Sequence, residues 1–563
     1  MLPSLRSILL LGLLATLCRG GSIFRSTPLD IPSFQLSAAL DPLSELSPCT
    51  TSTLSLDDKK KAAIDFVQDQ IKAFKLPGVA LSVVLKNETI LSKGFGTKEL
   101  GNSKASVTGK TQFQIGSLTK TFIALGIAKL VDEKKVSWND PVVAHLPSFA
   151  LTDKYAQKYT TLGDLASMNS VFGAYEGDIA WVVNVYPSDK ELVQALGYLE
   201  TPTRPFRAGY AYSNLNFAIL GQVIEAVTNQ TWYDYVRKTI WTPLGMNNTF
   251  GRAADTQTPQ KLSFGHFTCL DKVIGPYNLV NSTIVAVNPK NDYFAGGSMI
   301  STADDLSKFS RFLLNKGRGI FSSDAIVADM ITGHNVQTVN LQTLSILFGQ
   351  DYNPDGGAYA TGYGIDTVGD VMFGAHYFDK GGDMAAFKIR NGFIPAQNLG
   401  VNVLSNSQSA GGKFSSLVIV NLIRTYILGI FMDVPVDSLQ SNFKKALAAL
   451  DSNPLTPCDD HYFNAKPIDT GLTIPDNIKT VLAGTYHTTT SPKFYGQLEL
   501  VVQGKDLIFN YGVYSGRVIA TPDPSVFALD WDRGAESNLI QVLGLNESKP
   551  QIPLAQSVTF VKD

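Results

Sequence analysis

A serine stands three residues before a lysine in Gln114-Ile115-Gly116-Ser117-Leu118-Thr119-Lys120, which runs into the apolar helical pattern of Phe122, Ile123, Leu125 and Ile127. Three residues is about one helical turn, so the Ser117 hydroxyl and the Lys120 amine share a face within hydrogen-bond reach. A hydroxyl is a poor nucleophile until a base takes its proton, and a lysine is a base only where burial or nearby positive charge keeps it neutral. The helix N-terminus adds backbone N–H groups and a dipole that favour developing negative charge. A second element, Tyr212-Ser213-Asn214, precedes another helical pattern, Phe217, Ile219, Leu220 and Val223. A phenol beside the lysine can shuttle the proton to a leaving group, and the Asn214 amide can orient the lysine and a substrate carbonyl. A third, Lys380-Gly381-Gly382, opens a strand-like segment ending in Phe387. Its cation can hold a substrate carboxylate or assist proton transfer, and its glycines let a ligand approach the strand edge. Backbone N–H groups of Ser117 and Asp383 would complete an oxyanion hole. The chemistry described is acyl transfer through a serine.

Each element is weak alone, because Ser441-Asn442-Phe443-Lys444 and Tyr462-Phe463-Asn464 have the same forms. Order separates them: the decoy pair has no Lys-x-Gly downstream. Competing chemistries find no support. His145, His266, His334, His376, His461 and His487 show no metal-ligand spacing, so no metal site is expected. There is no G-x-x-x-x-G-K-[ST] phosphate loop and no G-x-S-x-G nucleophile elbow, and no organic cofactor is implied.

The elements that must position these residues follow from periodicity. Ile64, Val67, Ile71 and Phe74 predict a helix over about 57–75, closed by Pro77-Gly78. Runs 78–85 and 89–95 around Asn87-Glu88 predict a hairpin. Helical spacing then dominates, including 119–131 and 215–228, before strand-like runs at 372–378, 385–389 and 399–404 and an apolar helix around Leu417. A strand pair split from later strands by helices implies one α/β (α+β) domain with a helical insertion, its sheet built from both ends of the segment. Alternation at Leu498, Leu500, Val502, Leu507, Phe509 and Tyr511 predicts a small separate antiparallel barrel or sandwich at the C-terminus. The division expected is 57–433 catalytic, 434–475 linker and 476–563 all-β.

Over about 64–425 the chain resembles the serine β-lactamase and penicillin-binding-protein superfamily, and looks most like its class C branch, which also holds D-amino-acid peptidases, esterases and acyltransferases. Beyond the three motifs, the resemblance rests on Ile219-Leu220-Gly221-Gln222-Val223-Ile224-Glu225, Pro243-Leu244-Gly245-Met246, Ala295-Gly296-Gly297 and Ser301-Thr302-Ala303-Asp304-Asp305-Leu306. It implies a sheet flanked by helices with a helical subdomain, Ser117 as acylated nucleophile, Lys120 and Tyr212 sharing acid/base work, and Asn214, Lys380 and Gly382 at the substrate. It also implies a lipocalin-like C-terminal unit. There are departures. Ala386 stands where the family usually has glycine, Asp383 puts a carboxylate beside the oxyanion hole, where it would repel anionic substrates, and Leu165 to Val171 lacks a usual His and Gly.

Composition sets the context. The chain has 563 residues, 44% hydrophobic and 17% charged, with a net charge of -2. That suits a globular protein and excludes disorder, and it lacks the positive excess that nucleic-acid binding requires. Arg6 before the apolar run 8–17 reads as a secretory signal peptide over 1–20, followed by an extended Ser/Thr/Pro-rich leader over 21–56. That run is too short to span a membrane, and Asn421 and Arg424 interrupt the apolar stretch 417–432, so no stable span is expected. Without Cys18, Cys49, Cys269 and Cys458 remain, enough for one disulfide of unspecified pairing or for three reduced thiols. Export would make Asn87, Asn229, Asn247, Asn281 and Asn546, each in N-x-S/T, possible glycan acceptors. The expectation is a secreted serine hydrolase cleaving an ester or amide (peptide, ester or lactam) in a small or peptide-like acyl substrate. An acyltransferase with the same intermediate, or a binding protein retaining the fold, are the alternatives.

Overall fold

The computed structural model describes residues 54–201, 204–285, 292–337, 346, 349, 359–458, 463, 470–531, 539–555 and 558–563. The segment read as a signal peptide, nearly all of that read as a leader, Cys49 and Tyr462 lie outside them.

Helix α1 (Leu56–Ala73) starts at Ser55, whose hydroxyl accepts the Asp58 N–H. Its Ala63 and Val67 are fully buried. The hairpin follows as β1 (Gly78–Leu85) and β2 (Glu88–Gly96). The helical stretch then supplies α2 (Thr119–Asp132), α3 (Asp178–Val182), α4 (Asp189–Ala195), α5 (Asn214–Thr228) and α6 (Ala303–Leu314). The sheet resumes with β3 (Asn335–Val336), β4 (Ala360–Gly362), β5 (Ile365–Met372), β6 (Ala375–Asp379), β7 (Gly382–Met384), β8 (Phe387–Ile394) and β9 (Leu399–Ser405). The strand expected over 372–378 is instead a corner: β5 and β6 meet at Phe373-Gly374, both with positive φ (51° and 75°), the signature of a tight two-residue hairpin turn.

These nine strands form one sheet in the order β2-β1-β9-β8-β6-β5-β4-β3, with β7 paired to β8. The N-terminal hairpin is therefore closed by the late strand β9, in antiparallel register from Val79↔Ser405 to Leu85↔Leu399. Burial on both faces explains why β1 reads as a continuous apolar run. Val79, Leu81 and Val83 join a core with α1 and with α7 (Ser416–Phe431), where Phe66 stacks on Tyr426 at 3.7 Å. Ala80 and Val84 join the other core, with α2 and α6. α7 is buried along almost its whole length, and its Arg424 donates to Asp379 at 2.7 Å. Among the described residues no helix is long and apolar enough to cross a membrane.

Within the stretch read as a linker stands a helix, α8 (Val436–Asp451), amphipathic with Leu439, Ala446 and Leu450 buried. Beyond it, Cys458 is bonded to Cys269. The final strands are β10 (Gly484–Thr488), β11 (Gln497–Gln503), β12 (Asp506–Tyr511), β13 (Tyr514–Ala520), β14 (Val526–Trp531), β15 (Leu539–Gln541), β16 (Gln551–Ala555) and β17 (Val558–Lys562). They form a sheet ordered β15-β14-β13-β12-β11-β10-β17-β16. Reciprocal backbone bonds between Leu543 and Gln551, at 2.8 and 2.9 Å, close it into a barrel, the first of the two architectures expected. Its interior is filled by Leu498, Leu500, Phe509, Tyr486, Ile552 and Phe560.

The barrel is packed onto the helical stretch. A short helix between β10 and β11, α9 (Pro492–Tyr495), buries Phe494 completely. Tyr186 donates its hydroxyl to Phe494 O at 2.7 Å, Val513 N–H bonds Val183 O at 3.0 Å, and Glu200 N–H bonds Ser491 Oγ at 2.8 Å. Val183 and Tyr186 directly follow α3, and Glu200 lies beyond α4.

Candidate active site

Strand β7 and the turn before α2 are pressed together at backbone distance. Gly116 adopts φ +52°, and a Cβ there would lie 2.9 Å from Asp383 N; a Cβ on Gly382 would meet Ile115 O at 1.9 Å. Only glycines permit this approach. Ser117 sits in the 3₁₀ turn Gly116–Leu118 that leads into α2, and Lys120 lies in the first turn of the helix proper. Across the β7/β8 hairpin, Met384 pairs with Phe387 over a two-residue turn. The neighbouring pair Asp383–Lys388 is then of the non-hydrogen-bonded kind, which turns the Asp383 N–H away from β8 and toward Gly116-Ser117.

Lys120 is wholly buried. Its Nζ lies 3.1 Å from Ser117 Oγ, 2.7 Å from Asn214 Oδ1 and 2.5 Å from Gly296 O. Burial, and then the charge of Lys380, hold its pKa well below the usual lysine value. In its neutral form the amine has two N–H groups, which Asn214 Oδ1 and the Gly296 carbonyl match, and one lone pair, which is then left facing the Ser117 hydroxyl. Tyr212 donates to Ser117 Oγ at 2.6 Å. Burial, then the Asp366 carboxylate, push the Tyr212 pKa well above its normal value, so it is a phenol and not a phenolate. The polarity of the chain is therefore Tyr212 to Ser117 to Lys120.

Asn214 is the first residue of α5. Its amide is oriented by Asp178 of α3, which accepts from Nδ2 at 2.6 Å and so turns Oδ1 toward Lys120. Burial raises the Asp178 pKa to about 6. Sequence reasoning missed Asp178, for no spacing ties it to Tyr212-x-Asn214. It also missed Asp366 of β5, whose carboxylate holds Lys380 Nζ at 2.8 Å. The Lys380 side chain is only 2% exposed, its ammonium on that carboxylate and 5.4 Å from the Tyr212 ring centroid.

The structure thus brings Ser117, Lys120, Tyr212 and Asn214 into one hydrogen-bonded set, with Lys380, Gly382 and the Asp383 N–H around it. The decoy lysine Lys444 lies on α8, a helix of a different core. Asp383 carries no uncompensated charge: burial would raise its pKa, but Arg390, gripping both carboxylate oxygens at 3.0 and 2.9 Å, with Lys388 and Lys380, brings it below the usual value. The repulsion of anions expected of Asp383 is in this way cancelled. Ala386 occupies a left-handed position, φ 64°, which explains why glycine suits it. Its methyl covers Gly265, where a Cβ would fall 2.8 Å away.

The family pattern named Beta-lactamase matches residues 63–418. The chain belongs to the beta-lactamase family. Among solved structures, the beta-lactamase-family fold seen here is shared with an octameric penicillin-binding protein homologue from Pyrococcus abyssi, at TM-score 0.57 and 18% identity over 89% of this chain and 100% of that one. It is shared also with a D-amino acid amidase from Ochrobactrum anthropi SV3, at TM-score 0.52 and 21% identity over 67% of this chain and 99% of that one. Among curated relatives, an unguisins hydrolase of Aspergillus campestris is 28% identical over 46% of this chain and 48% of its own length. Protein flp of Staphylococcus aureus is 24% identical over 63% of this chain and 64% of its own length. The match therefore spans about half of the first relative and under two-thirds of the second.

Proposed function

We propose that this protein is a serine hydrolase that opens an ester or amide bond through an acyl-enzyme on Ser117. The observation that carries the reading is the placement of Ser117 Oγ between the buried Lys120 amine at 3.1 Å and the Tyr212 hydroxyl at 2.6 Å. Ser117 Oγ attacks the acyl carbon while Lys120 takes its proton, and the carbonyl oxygen becomes an anion held by the N–H groups of Ser117 and Asp383. Collapse expels the alcohol or amine, which takes a proton from Tyr212; Lys120 returns one to the phenol. Water then repeats the sequence in reverse and frees the acid and the serine. The name of the hydrolase relative supports the same class of reaction.

Export to an oxidising compartment is part of the reading. The Cys269–Cys458 disulfide supports it. Asn87, Asn229, Asn247, Asn281 and Asn546 are all exposed, as glycan acceptors must be. N-terminal sequencing of secreted protein should begin near residue 21.

Intact mass spectrometry with a fluorophosphonate tests the assignment. One adduct on Ser117, absent from Ser117→Ala, is expected. Folded wild type without an adduct would overturn it.

A further inference from the structure

The named charged groups around Ser117 are each held by a partner within the protein. Lys380 is bound to Asp366, and the Gly381 N–H points at the same carboxylate oxygen at 3.3 Å. Asp383 is bound to Arg390, and Asp178 to the Asn214 amide. Beside these pairs stands an exposed aromatic ring. Tyr175 is 36% exposed, and its ring centroid lies 5.3 Å from that of Tyr212. Its backbone is in the left-handed region, φ 57°, and its N–H is tied to Tyr212 O at 2.9 Å, so the ring is held at the entrance by the segment that carries the phenol. Left-handed backbone in a bulky residue persists only where the surroundings impose it.

Lys380 is the one cation of the three motifs that could receive a substrate carboxylate, and it has no free face. Its side chain is 2% exposed, whereas that of Asp366 is 29% exposed. An anionic acyl group entering here meets the oxygen of Asp366 before the nitrogen of Lys380. To reach that nitrogen it must displace a carboxylate already in place, and the displaced Asp366 stays in the cleft without a partner. Like charge beside a desolvated site is a strong discriminator.

Resting on the acyl-enzyme reading, we propose that Asp366 is a specificity-determining residue. By occupying Lys380 it selects uncharged acyl groups, lodged against Tyr175 and Tyr212, and rejects acyl groups that end in a carboxylate. The substrate class is then esters or amides whose acyl part carries no carboxylate.

The test uses two chromogenic substrates that differ by one carboxylate, 4-nitrophenyl valerate and mono-4-nitrophenyl adipate. For the wild type, kcat/KM should favour the valerate by tenfold or more. In Asp366→Asn, whose amide oxygen can still accept from Lys380, the ratio should shrink at least tenfold, chiefly through faster reaction of the adipate. A general loss of positioning would lower both substrates together and leave the ratio unmoved. Asp366→Ser serves as a second variant should the first fail to fold. Equal wild-type rates, or a ratio unchanged in the variants, would overturn the proposal while fluorophosphonate labelling of Ser117 still stood. Failure of that labelling would instead remove the acyl-enzyme reading beneath it.

Discussion

Tyr212→Phe separates the two proton carriers at Ser117. The variant keeps the aromatic ring that lies 5.0 Å from Lys120 Nζ and 5.4 Å from Lys380 Nζ, and deletes only the hydroxyl that donates to Ser117 Oγ at 2.6 Å. One lost buried hydrogen bond costs stability about 1 kcal/mol. Loss of a positioned general acid slows reaction by about 10² to 10⁴, or about 3 to 5 kcal/mol in the barrier. The pH profile gives the sharper readout. Lys120 must be neutral to take the serine proton, and its pKa is depressed by burial and by Lys380, so acylation should rise with pH through that depressed pKa and then level. Stopped-flow acylation by a neutral 4-nitroanilide, whose amine must be protonated to leave, should show the same rising limb in Tyr212→Phe at reduced amplitude, and no such limb in Lys120→Met. A Tyr212→Phe enzyme within threefold of wild type, or one that has lost the rising limb, would refute the polarity of the chain.

Three further perturbations probe what holds the site. Asp189 in α4 is 6% exposed; its Oδ2 accepts the Ala295 N–H at 2.8 Å, and its Oδ1 has no partner. Burial raises its pKa to about 7, so the folded state holds a proton that the unfolded chain releases, and stability falls as pH rises from about 4 to 7, by at most about 4 kcal/mol. Asp189→Asn should raise the urea midpoint at pH 8 and leave it nearly unchanged at pH 4; equal shifts would contradict this. Phe494→Ala empties a fully buried site under α3 and should cost about 3–5 kcal/mol, lowering kcat more than it raises KM because the Asp178–Asn214 pair loosens. A kcat equal to wild type in folded variant would show that the barrel does not support the site. Gly265→Ala should cost about 1–3 kcal/mol by collision with Ala386, Val285 and Phe387, and Ala386→Gly in the same chain should restore part of it, as a double-mutant cycle by thermal unfolding would measure.

Elements whose signal is local were legible in the sequence. α1, β1, β2, α2 and α5 lie within a residue or two of their expected bounds, because each carries its period within a single window. Ser117 and Lys120 were legible for the same reason. The corner at Phe373-Gly374 was not, since a phenylalanine in a left-handed turn position gives no turn signal. Nor was α8, whose apolar stripe is thin and lies next to a proline-marked stretch. The partners that orient the site were hidden for a different reason: Asp178 reaches Asn214 across 36 residues and Asn214 reaches Lys120 across 94, and no spacing rule connects groups brought together only by tertiary packing. The pairing of Cys269 with Cys458, 189 residues apart, belongs to the same class.

The closure of β1 against β9 has a consequence for synthesis. Ser82 and Asn402, bonded across that pair, are 320 residues apart, so at roughly 5–20 residues per second β1 emerges from the ribosome roughly 15 to 60 s before its partner exists. Throughout that interval the apolar strand has only the hairpin partner β2, and one edge stays open to any other nascent chain. The centre of the sheet is the last part of the sheet able to form, and a chain stopped between Lys120 and Ser405 holds Ser117 and Lys120 without the completed sheet that supports β7 against them.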